Sequence, residues 1–243
     1  MSVRENICRS SRKTEQLLLP SLSQLNIGTF SCAEVEYKEV APVKIKADFK
    51  LVLGHPVMEF LSLDNHNKIL RFTSWMQIGE GTYGKVFTGI ERASGIKFAV
   101  KKMEYYASSQ KEQNEIYEEI VLEASFAYQM AQLGVGIGVR EPTFLFLDEG
   151  KKCFYMVMQK ANGNAHEFVC EFYDEIDNKS FETSLLDIIR CMAENKLYCF
   201  DQKLRNILYT TEPSTKNEDE GPSSKKPRIT NRDAKFYLAD FGG

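Results

Sequence analysis

Residues 78–101 carry the first pattern with chemical content. The run Ile78-Gly79-x-Gly81-x-x-Gly84-x-Val86 is followed by a Ser94-Gly95 turn and then by Phe98-Ala99-Val100-Lys101. Apolar residues flank the glycines at strand-like positions, so the spacing predicts strand, glycine loop, strand, turn, strand. Glycine lets a main chain approach a ligand with no Cβ in the way, and a cluster of backbone N–H groups can face phosphate oxygens. A lysine on the next strand adds a fixed positive charge. A dinucleotide-binding turn would need a helix straight after the glycines and an acid about 20 residues on. Here Lys85–Ile90 reads as strand, and position 101 is lysine. The remaining alternative for this stretch alone is a glycine-rich β-hairpin with an ordinary surface lysine.

The elements that must position these residues follow from periodicity. Residues 110–133 hold apolar side chains at helical spacing from Ile116 to Met130, and Gly134 supplies the stop. Four glutamates on that helix are candidates to face the lysine: Glu115, Glu118, Glu119 and Glu123. Glu123 sits beside the apolar stripe with Ile120, Phe126 and Ala127. Glu119 is one turn earlier, and Glu115 and Glu118 read as solvated. Residues 143–160 form two apolar runs around Asp148-Glu149-Gly150, a hairpin signal. Residues 181–197 read as a second amphipathic helix, with Thr183 or Ser184 as its cap and Leu185, Leu186, Ile188, Ile189 and Met192 as its buried face. Residues 206–209 and 235–239 read as strands.

Upstream, residues 1 to about 25 read as a polar, basic tail. Residues 33–53 suggest one or two strands broken by Pro42, and Gly54-His55-Pro56 suggests a turn. Residues 210–233 lack periodicity and almost lack apolar side chains, the composition of a disordered insertion. Within them Lys225-Lys226-Pro227-Arg228 resembles a short nuclear-import signal; the alternative is a solvated charge run.

Four signatures in order resemble the protein kinase superfamily: GEGTYGKV, the FAVK lysine, Asp201-Gln202-Lys203-Leu204-Arg205-Asn206, and Asp240-Phe241-Gly242. The resemblance covers roughly residues 70–243. It implies an α+β, protein-kinase-like two-lobe fold, with an antiparallel-sheet N-lobe and its helix (residues 71–160) and an incomplete helical C-lobe (residues 161–243). It makes 1–70 a partly disordered N-terminal extension and about 211–233 an insertion. It implies ATP and Mg²⁺ as cofactors. Ile78, Gly79, Gly81, Gly84, Val86 and Ala99 would enclose the nucleotide. Lys101, held by Glu123 with Glu119 in reserve, would hold its phosphates. Met158 would control the back of the adenine pocket, and Gln159 to Ala161 would form the hinge. Asn206 and Asp240 would hold metal. Asp201 would accept the substrate hydroxyl proton and Lys203 would reach the γ-phosphate. Lysine at 203 resembles serine/threonine kinases more than tyrosine kinases.

Two departures stand out. Cys199-Phe200 replaces the family's His-Arg, which removes the partner of an activation-loop phosphate. The sequence also stops at Gly243, so the activation segment and later helices of a kinase lie outside it. Two function classes therefore stand: a divergent Ser/Thr protein kinase, or a kinase-like module that binds nucleotide or a partner without catalysis. A protein substrate is expected in the first, and in either a partner protein over the incomplete lobe.

Composition narrows the surroundings. Hydrophobic residues make up 43% and charged residues 27% of 243, a globular balance, and the net charge of −3 gives no support for nucleic-acid binding. Six cysteines without C-x-x-C spacing, with only three histidines, argue against a zinc site and for reduced thiols. No apolar run has bilayer-spanning length, and no signal peptide is evident. The expectation is a soluble intracellular protein of nucleus or cytoplasm, with no membrane and no nucleic-acid partner.

Overall fold

The computed structural model describes residues 39–63, 67–81, 84–172, 177–195, 203–211 and 234–239. Asp201, Asp240, residues 1–38 and residues 212–233 of the insertion expected at about 211–233 lie outside the described residues, while Thr211 ends a strand.

The chain enters β1 (Val43–Val52) directly after Pro42. Alternation is clear there: Ile45 and Ala47 point into the core, while Lys46, Asp48 and Lys50 lie on the other face. The turn that follows is not Gly54-His55-Pro56. Leu53 and Gly54 both adopt positive φ, 51° and 78°, which makes a two-residue hairpin, and the strand resumes at His55. Strand β2 (His55–Ser62) pairs with β1 from Ile45↔Ser62 to Val52↔His55. It then pairs with β3 (Lys68–Gly81) through a bulge at Phe60/Leu61.

Strands β4 (Gly84–Glu91) and β5 (Lys97–Glu104) continue the antiparallel ladder. Strands β6 (Leu145–Asp148) and β7 (Cys153–Gln159) form the expected hairpin. The seven close into a barrel in the order β1-β2-β3-β4-β5-β7-β6. The closing pair, β1 with β6, is parallel and short, Val43↔Phe146 and Lys44↔Leu147. Buried Asp148 prolongs it: its Oδ2 accepts the Ala47 N–H at 2.8 Å, and Lys151 donates to the Ala47 carbonyl. Closure leaves those two strands with no open edge.

The barrel is filled by aromatic side chains. The Phe60 ring lies 5.1 Å from Phe146 and 5.0 Å from Tyr155, and Trp75 stacks on Phe87 at 5.0 Å. Residues ahead of position 71 therefore supply two complete staves of the barrel and the start of a third. They are part of its wall.

Helix α1 (Gln110–Gln132) begins at Ser109, whose Oγ accepts the Glu112 N–H at 3.2 Å. Its buried Ile120, Ala124, Ala127 and Met130 include the stripe read from the sequence. Ile120, Ala124 and Ala127 pack on Leu145, Leu147, Phe154 and Met156, the outer face of the β6–β7 hairpin.

The second body holds a three-stranded antiparallel sheet in the order β10-β9-β8, with β8 (Gly163–Asn164), β9 (Ile207–Thr211) and β10 (Ala234–Leu238). Helices α2 (Ala165–Phe172) and α3 (Asn178–Glu194) pack on it around Phe168, Phe181, Tyr209 and Phe236. The sequence reading missed α2, an eight-residue helix too short for a clear period. Helix α3 starts three residues before position 181, with Asp177 as N-cap. Thr183 and Ser184 are not caps: each hydroxyl donates back to a carbonyl four residues earlier, at 2.7 and 3.0 Å. Phe181, Ile188 and Met192 are its buried apolar side chains, whereas Ile189, expected inside, is exposed. Among the described residues, no helix is long and apolar enough to cross a membrane.

Candidate functional site

A cleft of about 410 Å³ separates the barrel from the second body. Its roof is β3, β4 and β5. Phe98 and Val100 fill the barrel, so the period of two turns Ala99 and Lys101 to the other face, toward the cleft. The same period in β7 puts Tyr155 and Val157 inside and Met156 and Met158 on the cleft side. The ladder fixes their heights: Val86↔Lys101, Lys101↔Met156 and Ala99↔Met158.

Lys101 Nζ donates to Glu123 Oε1 at 2.6 Å, and both residues are more than nine-tenths buried. Helix α1 thus brings one carboxylate to the cleft, and it is Glu123. Glu115, Glu118 and Glu119 are exposed. A charge pair in this setting is far less screened than one in water. Removing either partner would strand the other.

The glycines differ in what they do. Gly81 and Gly84 line the cleft. Gly84 has φ +136°, and a Cβ there would lie 2.1 Å from the Lys102 carbonyl oxygen, so only glycine closes this hairpin. Gly79 does not line the cleft; it sits in the ladder opposite Val86, whose side chain does. Ile78 lines the opening and is partly exposed.

At the back, Met158, Gln159, Lys160 and Ala161 form the link between the two bodies and all line the cleft. Gln159 N–H is taken by the Gly138 carbonyl at 2.7 Å, so this N–H does not face a ligand. Burial, and then the nearby Lys97 charge, lower the Lys160 pKa, with Glu167 opposing. Beyond the link, Asn164 and Glu167 cap the start of α2 reciprocally, at 3.0 and 2.9 Å. Both line the cleft, and the N-x-x-E spacing that announces them is legible in the sequence.

The floor is built by main-chain bonds. Asn206 closes a 3₁₀ turn (Leu204–Asn206), its N–H bonded to the Lys203 carbonyl at 2.8 Å. Its carbonyl accepts the Ala239 N–H at 2.8 Å. Leu238 in turn bonds Val135 and Ile137, just past the end of α1, at 2.8 and 3.0 Å. The chain leading to position 240 is thereby fixed between Asn206 and the α1 terminus. Asn206 lines the cleft and is buried; Lys203 is exposed and does not line it. Arg205, Leu208, Ile137, Met156 and Ala239, with Asn162 and Gly163, complete the lining, and the sequence reading gives none of them a role in the site. The leucine, isoleucine, methionine and alanine had no signal beyond ordinary core patterning.

The arrangement is an apolar slot with a buried ammonium–carboxylate pair at one wall, a buried amide on its floor and a glycine hairpin over its mouth. A family model for the protein kinase domain matches residues 72–242. No curated protein matches the chain. The chain belongs to the protein kinase family, with the antiparallel-rich N-lobe and the α+β organisation of that fold. Protein kinase domains generally use ATP with Mg²⁺ and act on protein.

Proposed function

We propose that this kinase domain transfers the γ-phosphoryl group of ATP to serine or threonine hydroxyls of a protein substrate. The observation that carries the reading is the buried Lys101–Glu123 pair, presented to a cleft whose opposite wall holds Asn206. Phosphoryl transfer requires placement and charge neutralisation more than covalent work by the protein. A lysine held in one position by a carboxylate supplies both.

The cleft fits a nucleotide by its chemistry. Ala99, Met158, Ile78, Val86 and Leu208 give apolar walls for a purine, and the link supplies main-chain groups behind it. Gln159 N–H is already bonded, so in this reading a purine donor bond falls to Ala161. Glu167 and Asn164 stand at the outer end, where ribose hydroxyls need polar partners. Lys101 neutralises phosphate charge. Asn206, an amide oxygen donor, and Asp240 would hold Mg²⁺, a cation that prefers such oxygens together with phosphate oxygens. Bound Mg·ATP supplies the transferable phosphoryl group and the metal charge that offsets it. Asp201 would orient the acceptor hydroxyl and take its proton, and Lys203 would steady the phosphoryl oxygens.

The test is transfer from labelled ATP to a mixed protein substrate, followed by phosphoamino-acid identification. Phosphoserine or phosphothreonine is expected. Phosphotyrosine alone would overturn the assignment of acceptor, and nucleotide binding without any transfer would favour a non-catalytic kinase-like module.

A further inference from the structure

The outward face of β1–β3 carries a charge arrangement that the cleft does not use. Glu59 lies on that face, opposite Asp48 on β1 and Arg71 on β3. An outward carboxylate is ordinarily solvated, yet Glu59 is 1% exposed. Three cations cover it. Lys50 hydrogen-bonds its Oε2, Lys68 Nζ lies 3.0 Å from its Oε1, and Arg71 Nε lies 3.4 Å from the same oxygen. One cation is enough to neutralise one carboxylate, so three leave a local surplus of positive charge. The stems fold over Glu59 while the heads reach water: the Lys50 and Lys68 side chains are 40% and 52% exposed. Arg71 Nε is buried and makes no hydrogen bond. Lys46, exposed on the same face of β1, adds a further cation, and Asp48 a further carboxylate.

We propose that this face is a docking site for an acidic peptide segment of a partner protein, gripped by Lys50, Lys68 and Arg71 around Glu59. A carboxylate arriving between the two lysines would bridge heads that Glu59 already holds in place, so little side-chain freedom is lost on binding. The interspersed Asp48 and Glu59, on a chain of net charge −3, favour a peptide of separated acids over a continuous phosphodiester backbone. The face lies away from the nucleotide cleft, so the proposal stands independently of catalysis.

The experiment is fluorescence anisotropy of a labelled glutamate-rich peptide on the full chain. Comparators are its glutamine counterpart and a single-stranded DNA oligonucleotide of equal charge. Saturable binding of the glutamate peptide that weakens with salt is expected, and Lys50→Glu with Lys68→Glu should weaken it at least about tenfold. Those reversals leave Glu59 beside new negative charge. A second variant, Lys50→Gln, Lys68→Gln and Glu59→Gln together, therefore removes the cations without stranding the carboxylate. It should lose the peptide while still unfolding in one cooperative transition. Equal binding of the glutamine peptide, or peptide binding unchanged in the glutamine variant, would overturn the proposal. So would tighter binding of the oligonucleotide. Peptide binding that emerges only after Glu218, Asp219 and Glu220 are replaced by glutamine would also overturn it, by making the chain its own occupant.

Discussion

Lys101 was recognisable as a chemical residue because it ends an apolar strand behind a glycine hairpin. Its partner was harder to read. Four candidate glutamates share α1, and only the phase of the apolar stripe separated Glu123 from Glu119. The structure pairs Lys101 with Glu123 at 2.6 Å and leaves Glu115, Glu118 and Glu119 exposed. Glu123→Ala should therefore destabilise the fold by about 3 kcal/mol, because it strands a buried ammonium. Glu119→Ala should change stability by less than about 0.5 kcal/mol. Chemical denaturation of the two variants measures the contrast. Glu59 makes a prediction in pH. Burial raises its pKa, but the hydrogen bonds and charges of Lys50 and Lys68 together lower it below the ordinary 4.5. A carboxyl whose folded pKa is depressed stabilises the fold fully above its unfolded value and loses that contribution as pH falls through the folded one. Melting temperature followed from about pH 6 down to about pH 3 should fall in the wild type and show a flatter acid limb in Glu59→Gln.

At the scale of elements, strong periods were legible and local contests were not. Helix α1, the β6–β7 hairpin and the β3–β4–β5 run all carry repeated apolar spacing, and the expected limits differ from the observed ones by few residues. Helix α3 was read three residues short, because Thr183 and Ser184 have cap chemistry but sit inside the helix and bond back to the preceding turn. The β1–β2 turn was misplaced because Gly54-His55-Pro56 has turn composition, while the pairing of Val52 with His55 leaves only Leu53 and Gly54 to make it. Closure of the barrel had no sequence signal, since it joins strands about a hundred residues apart. It depends on Asp148, which extends a two-pair parallel ladder to the Ala47 amide. Asp148→Ala should cost about 1–3 kcal/mol and speed hydrogen exchange at Ala47 far more than at Phe72. Gly84→Ala should also destabilise, by about 1–3 kcal/mol, since its backbone is at φ +136° and a carbonyl occupies the place of the Cβ. Equilibrium unfolding of both variants checks this.

In the whole molecule, the cleft exists because two separately packed bodies meet across a short link. The barrel supplies Lys101 and the glycine hairpin, α1 supplies Glu123, and the second body supplies Asn206. Main-chain bonds from Asn206 to Ala239, and from Leu238 to the end of α1, tie the floor to the roof. A family resemblance was readable from four spaced signatures, each of which had an ordinary alternative when taken alone. The roles of Asp201 and Asp240 belong to the proposal, since both lie outside the described residues. The most direct measurement compares wild type with Asp201→Asn and Lys101→Ala in two assays, the melting shift on adding Mg·ATP and phosphate transfer to protein. The account predicts that wild type binds and transfers. Asp201→Asn should keep the shift and lose at least about 100-fold in transfer, and Lys101→Ala should lose both. Transfer undiminished in either variant, or a wild type with neither shift nor transfer, would contradict it.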